Sequence, residues 1–244
     1  MEENMVSLNS DMGESLGIHS FGNDEELVGL IDTVNVACGF HAGDPSGIRE
    51  TVQLALAGGV TVGAHPGLPD LVGFGRREMT LFPEETEDIV RYQVGAVAAF
   101  LKAEGAPLDH IKTHGALYGM SSRQPQLAEA ITRVAADYEV PVFGIGASEH
   151  EKAARKLGIP FVAEFYVDLG YDADGGLIVA RRPRATPVDE ATERAQQALI
   201  HGVATAVTGE PFPIQVDSIC VHSDTPNAVE IARTVRQVMS EVTA

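Results

Sequence analysis

Short apolar runs alternate with longer stretches of helical periodicity along most of the chain. Val6–Asn9, Val34–Cys38, Val60–Ala64, Ile111–Thr113, Val142–Ile145, Phe161–Phe165 and Ile219–Val221 are brief and rich in β-branched residues. Such runs predict strands buried on both faces of a parallel sheet.

The stretches between them carry helix signals. Asp44-Pro45 reads as an N-cap with Pro in the first turn; Ile48, Val52, Ala55 and Leu56 share a face, and Gly58-Gly59 ends the helix. Pro83-Glu84-Glu85 opens a second helix striped by Val90, Val94, Val97 and Leu101 and closed by Lys102 and Gly105. Leu127, Ile131, Val134 and Tyr138 mark a third. Thr186-Pro187 and Thr225-Pro226 start the last two, and shorter helices are expected near Asp24–Leu30 and Ser148–Leu157.

Seven strand–helix units follow. Right-handed crossovers turn such units into an open doubly wound sheet or a barrel. At 244 residues the chain matches one α/β barrel of about 250, so residues 1–244 read as a single domain. The longest loops, Ser10–Asn23, His65–Phe82 and Asp168–Thr186, all follow the C-terminal end of a strand, the edge where barrels carry active sites.

Candidate chemistry collects at that edge. Of eight histidines, His41, His65, His114 and His222 come directly after strands, with Asp11, Glu14, Asp44, Asp168 and Asp224 beside them. Asp44 reads as the helix cap, whereas Asp224 either caps the last helix or belongs to the site. His41 and His65 are flanked by glycines, Gly39 among them, that permit close approach of backbone to a ligand. Lys112 lies within a strand and needs a partner or the mouth, because burying it unpaired is costly. His19, His110, His150 and His201 read as surface or helix residues. Arg76 and Arg77 in one loop, and Arg181, Arg182 and Arg184 in another, suit a carboxylate, a phosphate or a contact with a partner protein. The histidines and acids would also suit a divalent metal, but no HExxH or HxxxH spacing assigns one, and no GxxxxGK[ST] phosphate loop is present.

Composition narrows the classes. Hydrophobic residues make up 44%, enough for a sizeable core. A formal charge of −18 disfavours nucleic acid and anionic membranes, and the absence of Trp disfavours a base-stacking surface. Two cysteines without a CxxC pair, no signal-peptide pattern and no apolar run approaching roughly 18 residues predict a cytoplasmic protein.

Several strings resemble the LamB/YcsF family: Asn9-Ser10-Asp11-Met12-Gly13-Glu14-Ser15, the stretch from Asn35 through Cys38-Gly39-Phe40-His41-Ala42-Gly43-Asp44-Pro45, and Gly63-Ala64-His65-Pro66-Gly67 running on to Gly73-Phe74-Gly75-Arg76-Arg77. His114-Gly115-Ala116-Leu117-Tyr118 and Val221-His222-Ser223-Asp224 complete the likeness. The resemblance implies a seven-stranded, TIM-like (β/α) barrel of the glycoside hydrolase/deacetylase type. It implies the A-type component of a 5-oxoprolinase, which opens the lactam 5-oxoproline to glutamate with ATP as co-substrate. ATP would be bound mainly by partner subunits B and C, and a homo-oligomer is compatible with this. Carried onto this chain, Asp11, His41, His65, Lys112, His114 and His222 would be catalytic. Glu14, Asn35, Gly39, Arg76, Arg77, Tyr118 and Asp224 would bind substrate. Departures fall at Thr113, Ser223, Leu169 and Arg184, so the loop after Asp168 is divergent. A metal-dependent carbohydrate deacetylase and a non-catalytic ligand-binding module are the alternatives.

Overall fold

Parallel strands curl into one six-stranded sheet in this computed structural model, which describes residues 6–179 and 185–242. In chain order the strands are β1 (Ser7–Met12), β2 (Thr33–Ala37), β3 (Thr61–His65), β4 (Val142–Gly144), β5 (Phe161–Tyr166), β6 (Gly170–Tyr171), β7 (Leu177–Ile178), β8 (Val203–Thr205), β9 (Pro211–Pro213) and β10 (Ser218–Cys220). The main sheet runs β3-β2-β1-β10-β5-β4; β6 with β7 and β8 with β9 form separate antiparallel ribbons.

The helices are α1 (Asp24–Leu27), α2 (Pro45–Ala57), α3 (Pro83–Ala103), α4 (Gly115–Ser121), α5 (Pro125–Tyr138), α6 (Glu149–Leu157), α7 (Val188–His201) and α8 (Ala228–Val242). Asp44 caps α2 as its sequence position suggests, accepting from the backbone N–H groups of Ser46 at 2.8 Å and Gly47 at 3.0 Å. No helix among the described residues is long and apolar enough to cross a membrane.

Over Ile111–Thr113, where the sequence predicts a seventh strand, the chain makes only a bridge. Ile111 pairs in parallel with Ala64 of β3 and with Val142 of β4, the two edge strands. Ala64 N–H donates to His110 O, Lys112 N–H to Ala64 O, Ile111 N–H to Pro141 O and Phe143 N–H to Ile111 O, each at 3.0 Å. Pairing stops there because His114 N–H turns to Pro66 O and α4 begins at Gly115. The seven-stranded expectation thus becomes six strands and a connecting bridge.

The two faces of the curled sheet differ in kind. Leu8, Met12, Val34, Val36, Val62, Phe165 and Ile219 are buried in the apolar core that also takes Val52, Val94 and Val235 from the helices. The alternate positions are polar: Asn9, Asp11, Asn35, His65, Glu164 and Ser218, joined by His110 and Lys112 from the bridging segment, and all are buried. Side chains two residues apart share a face of a strand, so this set lines the inside of the curl. Barrel interiors are usually filled with branched aliphatic residues; here hydrogen bonds do the filling.

His110 shows how tight this interior is. Its sequence position suggests a surface or helix residue, yet it is fully buried just before the bridge, stacked on Phe143 and bonded to Asn35 Oδ1 at 2.5 Å. A Cβ on Gly63 would lie 2.2 Å from its ring. Gly63→Ala should therefore destabilise the fold by roughly 1–3 kcal/mol. Urea melts would show a lower midpoint with an unchanged slope; an unchanged midpoint would mean that the ring is free to move.

Candidate active site

Lys112 sits at the centre of the polar interior with 1% of its surface exposed. Its ammonium donates to Asp11 Oδ1 at 2.8 Å, Cys220 Sγ at 3.0 Å and Asn9 Oδ1 at 3.3 Å, and lies 3.0 Å from Glu164 Oε1. Burial opposes its charge, but Asp11, Cys220 and Glu164 outweigh burial and hold the ammonium well above the usual lysine range. Glu164 is further held by the hydroxyls of Tyr118 at 3.2 Å and Tyr166 at 3.0 Å and by Asn9 Nδ2 at 3.1 Å.

Asp11 links this centre to the histidines. Its Oδ2 lies 3.2 Å from His65 Nε2 and 3.5 Å from His222 Nε2, while Asn35 Nδ2 donates to Oδ1 at 2.8 Å. Burial raises its pKa, but His65, Lys112 and His222 together lower it well below the ordinary carboxylate value. Asp11 is therefore a standing anion. On the far side of His222, Asp168 lies 3.1 Å from Nδ1 and accepts from the His222 backbone N–H at 2.9 Å. Burial disfavours the imidazolium, yet Asp168 and Asp11 push His222 up to about 9.

His41, His65 and His114 form a second, differently charged group. His41 and His114 stack with centroids 3.7 Å apart, and His65 meets both edge-on. Burial and the neighbouring histidines hold His41 and His114 well below the ordinary imidazole value. Glu14 lies 3.5 Å from His41 Nε2 and 3.7 Å from His114 Nδ1. Burial, Asp224 and Asp11 raise its carboxyl well above the usual range.

A narrow cleft opens over these groups, lined by Asp11, His65, Arg76, Lys112, His114, Tyr118, Tyr166, His222 and Asp224. Arg76 bonds to Asp224 Oδ2 at 3.0 Å, and its Nε is buried with no partner among the described residues, so one donor of its guanidinium is unused.

Residues from opposite ends of the chain, Asp11 and Asp224 among them, thus meet at one mouth. Other candidates stay outside it. Arg77 pairs with Asp70, is half exposed and does not line the cleft. Gly39 has a left-handed backbone (φ 90°) and closes a turn to Ala42 O at 2.8 Å, also away from the lining. Asn35 lies beneath the cleft and orients Asp11 and Asn9. Arg181, Arg182 and Arg184 fall outside the described residues.

Glu164, Tyr166 and Asn9 are site residues that sequence reasoning passes over. For Glu164 and Tyr166 the signal is a charged or polar side chain inside an otherwise apolar strand, the same signal that singles out Lys112; Asn9 sits in the mostly polar β1 and gives none. His150, read as a surface or helix residue, does sit on α6 but is buried with its Nε2 2.7 Å from Ser121 Oγ.

Two outcomes follow from this electrostatic arrangement. Lys112→Met leaves Asp11 and Glu164 buried without their cation, and should cost about 3–5 kcal/mol of stability in denaturant melts; a loss below about 1 kcal/mol would refute the central role of the ammonium. His222, whose folded pKa stands above its unfolded value, contributes stability fully present below pH 6.5 and lost as pH rises through about 9. Melts at pH 6 and pH 10 should differ by on the order of 3 kcal/mol more in the native chain than in His222→Gln.

The chain is similar along nearly its whole length to several known proteins. The A component of 5-oxoprolinase from Brevibacillus brevis is 44% identical over 239 residues, covering 96% of this chain and 94% of that one. The lactam utilization protein lamB of Emericella nidulans is 46% identical over 238 residues, covering 96% and 94%. The crystal structure of a lactam utilization protein from Thermus thermophilus superposes with a TM-score of 0.88 at 43% identity, covering 98% of this chain and 97% of that one. A GH20 β-N-acetylhexosaminidase from Streptomyces coelicolor, at 12% identity and a TM-score of 0.53 over 95% of this chain and 63% of its own, shares the fold alone. The family model described as LamB/YcsF family matches residues 6–244, and the chain belongs to that family.

Proposed function

We propose that this chain is the A component of an ATP-dependent 5-oxoprolinase and hydrolyses the lactam ring of 5-oxo-L-proline to L-glutamate, coupled to ATP hydrolysis with partners of the B and C type. The carrying observation is the cleft in which a standing anion, Asp11, lies between His65 and a charge-stabilised His222. The names of similar proteins support the substrate class. The narrowness of the cleft favours a small ring over a polymer.

The reaction adds water to the lactam carbonyl carbon and breaks its bond to nitrogen, so the nitrogen must gain a proton as it leaves. A lactam amide is resonance-stabilised; ATP activates it by phosphorylating the oxygen with loss of ADP, so that water addition and C–N cleavage leave an acyl phosphate, from which a second water releases phosphate and glutamate. No phosphate-cradling loop occurs in the sequence, which favours ATP chemistry in the partners.

His222 is the site histidine whose protonated form is favoured up to about pH 9, and it faces the cleft; it serves as the acid for the leaving nitrogen. Asp11, a standing anion that lines the cleft, takes the proton from the attacking water. His65, whose Nδ1 donates to Lys112 O at 2.9 Å, packs beside that carboxylate with Nε2 3.2 Å from Asp11 Oδ2. Lys112 lies too deep in its own ion pairs to reach far, and its charge stabilises the oxyanion through space. Arg76, with an unused Nε–H, holds the substrate carboxylate.

Mixing this chain with its B- and C-type partners should produce ADP and glutamate only when 5-oxoproline is present. His222→Gln should lower kcat about 10²–10⁴-fold and remove an alkaline limb near pH 9. Turnover that does not depend on this chain would defeat the assignment, and acetate release from an acylated sugar without ATP would support a deacetylase instead.

A further inference from the structure

The inner wall of the cleft gathers three imidazoles and one carboxylate, and one of the rings has no hydrogen-bond partner among the described residues. His65 Nδ1 faces Lys112 O at 2.9 Å, and His114 Nε2 faces Phe74 O at 2.9 Å. A carbonyl oxygen only accepts, so each of these two nitrogens carries its hydrogen toward the backbone. The remaining nitrogens, His65 Nε2 and His114 Nδ1, face one another at 3.0 Å, with Asp11 Oδ2 3.2 Å from the former. Glu14 Oε1 lies 3.7 Å from His114 Nδ1 and 3.5 Å from His41 Nε2. His41 is 1% exposed, and neither of its ring nitrogens has a hydrogen-bond partner among the described residues. Buried polar atoms left in this state are rare and call for a reason.

We propose that Glu14, His41, His65 and His114 form a binding site for one divalent transition-metal ion of the zinc class. One ligand atom from each residue falls within 4.8 Å of all the others. Ligands about 2.0–2.1 Å from a tetrahedral ion stand about 3.4 Å apart, and the three pair distances above, 3.0, 3.5 and 3.7 Å, bracket that spacing. Three imidazoles and one carboxylate suit zinc or its first-row neighbours rather than calcium or magnesium, which take oxygen shells. The two carbonyls supply the outer contacts that ordinarily fix the tautomer of a metal-bound histidine.

One adjustment is required, and the structure indicates where. The His41 and His114 planes are parallel to within 3°, so both lone pairs cannot aim at one point without a tilt. His114 is held by Phe74 O, whereas His41 is tethered by no hydrogen bond among the described residues and is the ring that turns. Gly67 and Gly75 keep space beside it: a Cβ at either would lie 2.6 or 2.7 Å from His41. His65 and His114 also line the cleft, which places the ion at its wall.

The site is read by binding alone, so its failure and the failure of the lactam reading are distinguishable. The full chain, stripped with chelator, is titrated with Zn²⁺ and separately with Co²⁺. One equivalent should bind, with intense visible Co²⁺ bands of four-coordinate geometry, and the ¹⁵N resonances of the His41, His65 and His114 rings should shift in the native chain. His41→Ala and Glu14→Gln should each weaken Zn²⁺ binding at least about 100-fold, while His201→Gln, on the exposed end of α7, should leave it unchanged. The native-chain resonances decide the matter even if a variant fails to fold. No stoichiometric binding, or binding that shifts none of these three rings, would overturn the proposal.

Discussion

A lysine ammonium buried among strands governs this molecule. Lys112 cannot be charged inside the sheet without anions, and neutralising it there would leave Asp11 and Glu164 unpaired in turn. The two acids come from strands distant in sequence, so the cation ties β1 to β5 across the interior of the curl. Each acid then needs its remaining lone pairs satisfied, which brings in Asn9, Asn35, Tyr118 and Tyr166. The polar interior follows from that one charge. A fully bonded network of this kind is rigid, and any single deletion exposes the next member.

From Asp11 outward the network divides the histidines by charge. His222, between Asp168 and Asp11, favours the imidazolium; His41 and His114, packed against one another and other rings, favour the neutral form. Identical side chains within one cleft region thus divide into a proton donor and neutral nitrogen donors, and the division comes from neighbours rather than residue type. It also explains why Glu14 differs from Asp11. Asp11 has Lys112 at 2.8 Å, whereas Glu14 faces neutral rings and other acids.

Much of this is legible in the sequence where a rule of spacing applies. Six of the seven apolar runs form strands because burial on both faces leaves an unmistakable composition, and Asp44-Pro45 announces α2. The seventh run forms a bridge because the turn at His114 leaves room for pairing only around Ile111. Helix α4 has two glycines in seven residues and gives no periodic signal. The ribbons β6–β7 and β8–β9 are too short to show alternation. Among site residues, strand-end histidines are visible because position alone marks them. His110 and Glu164 are not, since their meaning depends on which strand lies opposite, a fact of register that one chain does not display. Arg77 shows the reverse case: adjacency to Arg76 suggests a shared task, but Arg77 pairs with Asp70 and does not line the cleft.

The overall charge of −18 poses a difficulty for any reading with an anionic substrate. Distance resolves it. Exposed carboxylates act over a screening length of about 8 Å at physiological salt, so most of the surface charge is weak at the floor of the cleft. There the nearest fixed charges are Lys112, Arg76 and His222 against Asp11, Glu164, Asp168 and Asp224, all in a poorly solvated setting where interactions are stronger. The pairs nearly cancel, and what remains directional is the unused Arg76 Nε–H and the His222 proton. On the proposed function, a carboxylate entering the cleft would meet Arg76 and His222 rather than the mean field of the surface. An acidic protein can therefore hold an acidic ring, provided its cations are buried and its surplus acids stay on the outside.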